Sequence, residues 1–203
     1  MNVGCVVMAA GKSTRFGKNK LLAPLAGKPL LAHTLHALPR ERLARIVAVT
    51  SDDAVSSLCE MCGIRSVQYS GGPQSETVRR GIEEMEGLDG CLFVQGDQPL
   101  CSACSMERLL DAFDQNPEAV HRLSFDSVAG SPVIFPGHLF SALRTLSGEC
   151  GGMTAARRTG AAIHLVPAYA AFELLDADTE NALAQIERIY LEEAHTPNAA
   201  WTP

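Results

Sequence analysis

No run of eighteen or more apolar residues occurs in this 203-residue chain, and its start, MNVGCVV, lacks a basic stretch followed by a small-residue cleavage site. A membrane span needs about twenty consecutive apolar residues and a secretory leader needs that charged-then-apolar order, so neither is expected and a cytoplasmic protein is. An excess of positive charge is missing too: 17 Lys and Arg stand against 23 Asp and Glu, a formal charge of −6. A surface that tracks a nucleic-acid backbone needs clustered cations, so nucleic acid is not an expected partner. An even cysteine set is also absent. The seven cysteines read as small buried hydrophobes of a reducing compartment rather than as disulfides. Cys59/Cys62 and Cys101/Cys104 have C-x-x-C spacing, but the first pair lacks the flanking glycines and histidines of a zinc knuckle.

Two familiar phosphate-binding fingerprints are missing as well. Gly11-Lys12-Ser13 resembles the end of a P-loop, yet that motif needs a glycine five residues before the Gly-Lys pair, where Val6 stands. The G-x-G-x-x-G turn of dinucleotide enzymes is not found after the first strand-like run either.

What is present is 46% hydrophobic and 20% charged residues, ordinary for one α/β domain with a sizeable core. One domain is expected over residues 1–194, with 195–203 as a frayed tail. The chain is organised around residues 8–22, MAAGKSTRFGKNKLL. Before it, Val3 to Met8 reads as a short buried strand. Within it, Ala9, Ala10, Gly11, Ser13 and Gly17 let backbone N–H groups approach a ligand, and Lys12, Arg15, Lys18 and Lys20 surround that concavity with cations. A nucleoside triphosphate suits such a loop; the plain alternative is a basic surface loop.

Strand-like and helix-like stretches then alternate. Strands are expected at 45–50, 64–69, 91–95, 119–125, 132–135 and 163–166. Helices are expected from Leu30 to Leu38 with Pro29 in the first turn, from Asp52 or Asp53 to Met61, from a Ser75 cap to near Gly87, from 105 to 116, from 137 to 146 and from 178 to 193. The alternation implies a mostly parallel Rossmann-like sheet in a three-layer α/β/α sandwich, whose ligand sits beyond the carboxyl ends of the strands. Asp97, directly after the apolar run LFV in FVQGDQP, then stands at a strand tip facing the cationic loop. That is where a carboxylate helps hold a Mg²⁺ against phosphates; a simple turn former is the alternative. A second acidic cluster, Asp176-Ala177-Asp178-Thr179, supplies either further metal oxygens or the cap of the last helix.

MAAGKSTRFGKNKLLAPLAGKPLL and FVQGDQPL resemble the signatures of the MobA-like nucleotidyltransferases. GSPVIFPGHLFSALRTLSGECGG and LLDADTENAL are similar to segments of that family's molybdenum cofactor cytidylyltransferase branch. The resemblance covers residues 3 to 190 with four motifs in order. It implies a nucleotide-diphospho-sugar transferase fold and Mg²⁺-dependent transfer of CMP from CTP to the terminal phosphate of molybdopterin, with a molybdenum hydroxylase as a partner receiving the product. Carried over, Arg15 and Lys20 hold the triphosphate, joined by Lys12 and Ser13. The backbone of Ala9, Ala10 and Gly11 approaches base and sugar, Asp97 and Asp178 bind the metal, and Arg15, Lys20 and Asp97 are the catalytic set. Ala9-Ala10, where guanylyltransferase relatives carry more glycine, favours cytidine. Ser75 and Thr77 fall near the base. Departures cluster at the acceptor end: Glu149 replaces Asp, Met153 stands where Arg is usual, and Glu180-Asn181 replaces Pro-Glu. Arg157 and Arg158 are candidates for an anionic acceptor, or a solvated face. Cys101, just after the Gly-Asp-Gln-Pro turn, is expected within reach of the acceptor. GGPQSETVRRGI also resembles the methylerythritol cytidylyltransferases, although their D-A-A-R-P is absent. A sugar or polyol phosphate transferase is therefore the other enzyme reading, and a molybdenum cofactor chaperone is the non-enzyme one. No Ser-His-Asp or Cys-His arrangement is readable, so direct attack by an already ionised acceptor is expected.

Overall fold

The computed structural model describes residues 1–11 and 19–194. Strand β1 (Val3–Met8) is buried along nearly its whole length, as a central strand covered on both faces must be. Beyond residue 18, a short 3-10 turn (Lys20–Leu22) leads into a two-stranded hairpin, β2 (Pro24–Leu25) and β3 (Lys28–Pro29), and then α1 (Leu30–His36). The chain continues through β4 (Arg45–Thr50), α2 (Asp53–Met61), β5 (Arg65–Gln68), α3 (Gln74–Glu83), β6 (Gly90–Gln95) and α4 (Ala103–Gln115). It ends with β7 (Val120–Phe125), β8 (Val128–Pro136), α5 (Phe140–Arg144), α6 (Gly152–Thr159), β9 (Ile163–Pro167) and α7 (Glu180–Ala194).

Seven strands form one sheet in the order β5-β4-β1-β6-β8-β7-β9. The β5-β4, β4-β1, β1-β6 and β7-β9 pairs are parallel, and β8 runs antiparallel to both β6 and β7. The mostly parallel sheet expected from the alternation is therefore present. Side-chain alternation along β1 sends Cys5 and Val7 into one apolar layer with Leu31, Leu92 and Phe113, and Val6 into the other with Val47, Ile82 and Phe135. Helices cover both layers. α3 packs tightly because Gly81 has no side chain: a Cβ there would come within 2.5 Å of Val6, so a larger residue would lift the helix off the sheet.

Local chemistry explains most helix starts. Asp52 caps α2 by accepting from the Ala54 and Val55 amides at 2.9 and 3.1 Å, and Ser102 caps α4 through the Ser105 amide. Three expectations are corrected. Ser75 does not cap α3: Pro73 occupies the cap position without a side-chain bond, and Ser75 is buried inside the first turn. Pro29 precedes α1 as its cap because the β3 pairing holds it extended. The last helix starts at Glu180, capped by Thr179, whose hydroxyl accepts from the Ala182 amide at 3.1 Å. That leaves Asp178 outside the helix.

Candidate active site

The carboxyl ends of β1 and β6 open onto a cleft, and the residue after each of these two strands is tied down by a backbone bond. The Ala9 amide donates to Val49 O at 2.9 Å and the Gly96 amide to Met8 O at 3.1 Å, extending the sheet by one step. The Thr34 hydroxyl donates to Gly96 O, and the Ala177 amide donates to Asp97 O at 3.0 Å. Asp97 is thus fixed at the tip of β6 between the first loop and the 174–178 segment, as the apolar run before it predicts.

Lys20 enters from the other side. Asn19 accepts from the Leu21 amide and donates to the Asp52 carboxylate at 2.9 Å, so the end of the phosphate loop is anchored to the start of α2. The Lys20 ammonium lies 2.5 Å from Asp97 Oδ2 and 2.6 Å from Asp178 Oδ1. Burial opposes its charge, but the two carboxylates outweigh that and hold its pKa above the ordinary lysine value. Asp176 is the third acid here. Burial first, then the Asp97 charge, pushes its carboxyl up to about 6.

Two cavities meet at this cluster. The first, about 340 Å³, is lined by Ala10, Gly11, Lys20, Gly72, Thr77 and Glu149 among others. The second, about 410 Å³, is lined by Gln98, Arg122, Gly130, Ser131, Asp176 and Asp178 among others. Gln74, Gln95 and Asp97 belong to both. The structure therefore brings Ala10, Gly11, Lys20, Thr77, Asp97 and Asp178 to one cleft. Ala9 is buried just behind its wall, and Ser75 is buried under α3 away from either cavity. Lys12, Ser13 and Arg15 lie outside the described residues. Thr77 pairs its hydroxyl with Tyr69 at 2.7 Å, and the Gln74 amide donates to Glu149 Oε2 at 3.2 Å, so Glu149 closes the first cavity over the start of α3.

Cys101 is buried in the apolar layer, where burial raises its thiol pKa well above the free value, so it packs as one of the small buried hydrophobes that the sequence suggests. Several site residues escaped the sequence reading. Gln74, Gln95 and Gln98 carry no signal beyond their neighbourhood, and Arg122 sits in a strand assigned on its apolar residues. Glu173 has no exposed surface and accepts from both the amide and the hydroxyl of Ser102, from the Ser105 hydroxyl and from the Tyr169 and Ala170 amides. It locks the segment bearing Asp176 and Asp178 against the start of α4.

A metal ion fits part of this arrangement. Among the described residues no three His, Cys, Asp or Glu side chains enclose an ion by themselves. Asp97 and Asp178, however, already converge on one cationic nitrogen, and both are hard oxygen donors. An ion such as Mg²⁺ takes one or two carboxylates and draws its other oxygens from phosphates and water, so the pair suits it.

A cleft over the carboxyl ends of a mostly parallel sheet, with the Lys20 ammonium set against the strand-tip carboxylate of Asp97, defines an α/β protein of the nucleotide-diphospho-sugar transferase fold. The MobA-like NTP transferase domain model matches residues 5–163, and the chain belongs to that family. The chain is similar to the bifunctional enzyme IspD/IspF of Rhodobacter capsulatus, 33% identical over 61% of this chain and 34% of that protein. It is equally similar to the 8-amino-3,8-dideoxy-manno-octulosonate cytidylyltransferase of Shewanella baltica, 33% identical over 58% of this chain and 49% of that protein. The chain thus spans half or less of the length of these relatives. A nucleotidyl transferase from Methanothermobacter thermautotroptrophicus superposes with a TM-score of 0.81 at 21% identity, covering 95% of this chain and 99% of the other. Among the described residues no helix is long and apolar enough to cross a membrane.

Proposed function

We propose that residues 1–194 act as one cytoplasmic nucleotidyltransferase domain that takes a cytidylyl group from CTP and passes it to an oxygen nucleophile on a sugar- or polyol-type acid or phosphate. The observation that carries this reading is the pair of cavities sharing Asp97, Gln95 and Gln74. One cavity suits the donor nucleotide and the other an acceptor, and their shared wall is where the reacting phosphorus would lie. Cytidine is favoured by the Ala9-Ala10 pair, and the Shewanella relative is named a cytidylyltransferase.

In this mechanism the acceptor oxygen attacks the α-phosphorus of CTP in line. The bond from that phosphorus to the bridging oxygen breaks, and pyrophosphate leaves with the electron pair. Ala10 and Gly11 border the sugar and base, and Thr77 the base side. Lys12, Ser13 and Arg15 belong to the phosphate contacts. Lys20, withdrawn from the carboxylates when a triphosphate arrives, neutralises charge building on the leaving pyrophosphate. Asp97 and Asp178 would hold a divalent metal, Mg²⁺ in this reading, which when bound offsets charge on the phosphates. Gln95 and Gln74 keep the two substrates apart yet adjacent. An attacking phosphate is already ionised at neutral pH and needs no general base, whereas an attacking hydroxyl gives up its proton to water as its bond to phosphorus forms.

A second reading, transfer of CMP to the terminal phosphate of molybdopterin for a molybdenum hydroxylase, is favoured by the sequence of residues 130–152. Against it, no aromatic ring is among the residues lining the second cavity, so a pterin would find no stacking partner there. The test is a panel of the four ribonucleoside triphosphates with Mg²⁺ against 3-deoxy-manno-octulosonate, polyol phosphates and molybdopterin, reading pyrophosphate release. Release with CTP and a sugar acid or polyol phosphate is expected. Release with molybdopterin alone would establish the second reading, and release with no nucleotide and acceptor pair would overturn both.

A further inference from the structure

Arg122 stands on β7 at the wall of the second cavity. Its Nε donates to Gly130 O at 3.1 Å, and among the described residues no carboxylate pairs with its guanidinium. Burial lowers its pKa, and the charge of Arg157 on α6 lowers it further. A half-buried guanidinium with most of its five donors unspent on protein is a costly arrangement unless an anion completes it. The fork geometry of those donors matches a carboxylate or phosphate bidentately.

Position separates this cation from the reacting end. Arg122 is in register with Val133 of β8, and Val133 with Phe93 of β6. Arg122 therefore lies two strand spacings, about 10 Å, from the strand that carries Asp97. Between them the cavity wall offers the Gln98 and Gln74 amides, the Ser131 hydroxyl and the Gly130 backbone. Gln98 is 3% exposed and donates its side-chain amide to Leu174 O at 3.5 Å, so it shapes the wall from behind. Such a wall suits hydroxyl groups.

We propose that Arg122 anchors a carboxylate or phosphate group of the acceptor that is distinct from the attacking oxygen, so that the acceptor is a polyhydroxy compound with an anionic end. The inference rests on the transferase reading for the word acceptor, but the site itself is tested by binding alone. Mannitol 1-phosphate, gluconate and neutral mannitol are titrated into wild type, Arg122→Gln and Arg122→Lys, with CTP affinity measured in parallel. Gln retains a donor toward Gly130 O, so Arg122→Gln should fold. Wild type should bind one of the two anionic probes at least tenfold more tightly than mannitol, and which one distinguishes phosphate from carboxylate. Arg122→Gln should lose tenfold or more for that probe and nothing for mannitol or CTP. Arg122→Lys should lose less. If both anionic probes bind no tighter than mannitol, or if Arg122→Gln or Arg122→Lys binds them as wild type does, the site is refuted. Absence of pyrophosphate release with intact anion binding would instead refute the transferase reading and leave the anion site standing.

Discussion

Replacing Glu173 by Gln should destabilise the protein far more than a one-atom change suggests. The carboxylate has no exposed surface and receives five hydrogen bonds. Oε1 accepts from the Ser102 amide at 2.9 Å and from the Ser102 hydroxyl, while Oε2 accepts from the Ser105 hydroxyl at 2.7 Å and the Tyr169 amide at 2.6 Å. Hydroxyls can rotate to accept, but a backbone N–H cannot. Either orientation of the new amide therefore sets an NH₂ group against a fixed donor and orphans it. Leaving one buried donor unpaired costs about 1–3 kcal/mol, and weakening the remaining charge-assisted bonds adds to that. With a total near 3 kcal/mol, and about 2–4 °C per kcal/mol for a domain of this size, Tm should fall by about 6–12 °C. Urea unfolding should show a lower midpoint at an unchanged m-value. Because the same carboxylate holds the segment carrying Asp176 and Asp178, the folded variant should also lose turnover without losing CTP affinity. A Tm within 2 °C of wild type would refute the view that this carboxylate clamps the acidic segment.

Asp97→Asn should lower the rate of pyrophosphate release by about a hundredfold or more while leaving Tm within a few degrees, since the strand-tip carboxylate serves the site and little of the core; activity within a few-fold of wild type would contradict this. Lys20→Ala should weaken CTP binding much more than CMP binding, and equal losses by calorimetry would remove the triphosphate role. Stability should fall as the pH drops below 6.5. His33 is buried, and burial, opposed by its bond to Leu25 O at 2.8 Å, lowers its folded pKa from 6.5. The unfolded chain therefore takes up a proton first, and the stability complete above 6.5 declines as the pH falls toward the folded value. His33→Gln should flatten the denaturation midpoint between pH 7 and 5, part of the slope surviving through His121, whose pKa is lowered in the same way; unchanged slopes would count against it.

What could be read from the sequence is what short-range chemistry dictates. Asp97 was legible because an uninterrupted apolar run ends at Val94, three residues before it. Lys20 was legible because it closes a run of cations and small residues, and α2 because Asp52 precedes an amphipathic stretch. Glu173 was not legible, since its partners at Ser102 and Ser105 lie 71 and 68 positions away and only the packed fold joins them. Arg122 was hidden for a related reason. Its meaning comes from the antiparallel insertion of β8 between β6 and β7, a pairing that periodicity within one strand cannot reveal. Ser75 was misassigned because a serine after Gly-Gly-Pro-Gln satisfies the rules for a helix cap, yet the helix begins one residue earlier and buries it.

The charges at the cleft also explain why the Lys20 ammonium sits where it does. Asp97, Asp176 and Asp178 crowd one region, and the raised pKa of Asp176 reports their mutual repulsion together with burial. The fold holds them there by backbone bonds, Ala177 N to Asp97 O at 3.0 Å and Asp178 N to Asp176 O at 2.9 Å, and by the Glu173 clamp. In the free chain the ammonium offsets two of these carboxylates at 2.5 and 2.6 Å. It cannot serve them and a triphosphate at the same strength, because three donors on one nitrogen must be divided among all the oxygens. Arrival of the nucleotide therefore competes with both ion pairs. Were the ammonium to turn to phosphate, Asp97 and Asp178 would lose its charge, and a divalent cation would be more favourable there than before. Nucleotide and divalent cation should thus bind with mutual reinforcement, each raising the affinity of the other by the same factor.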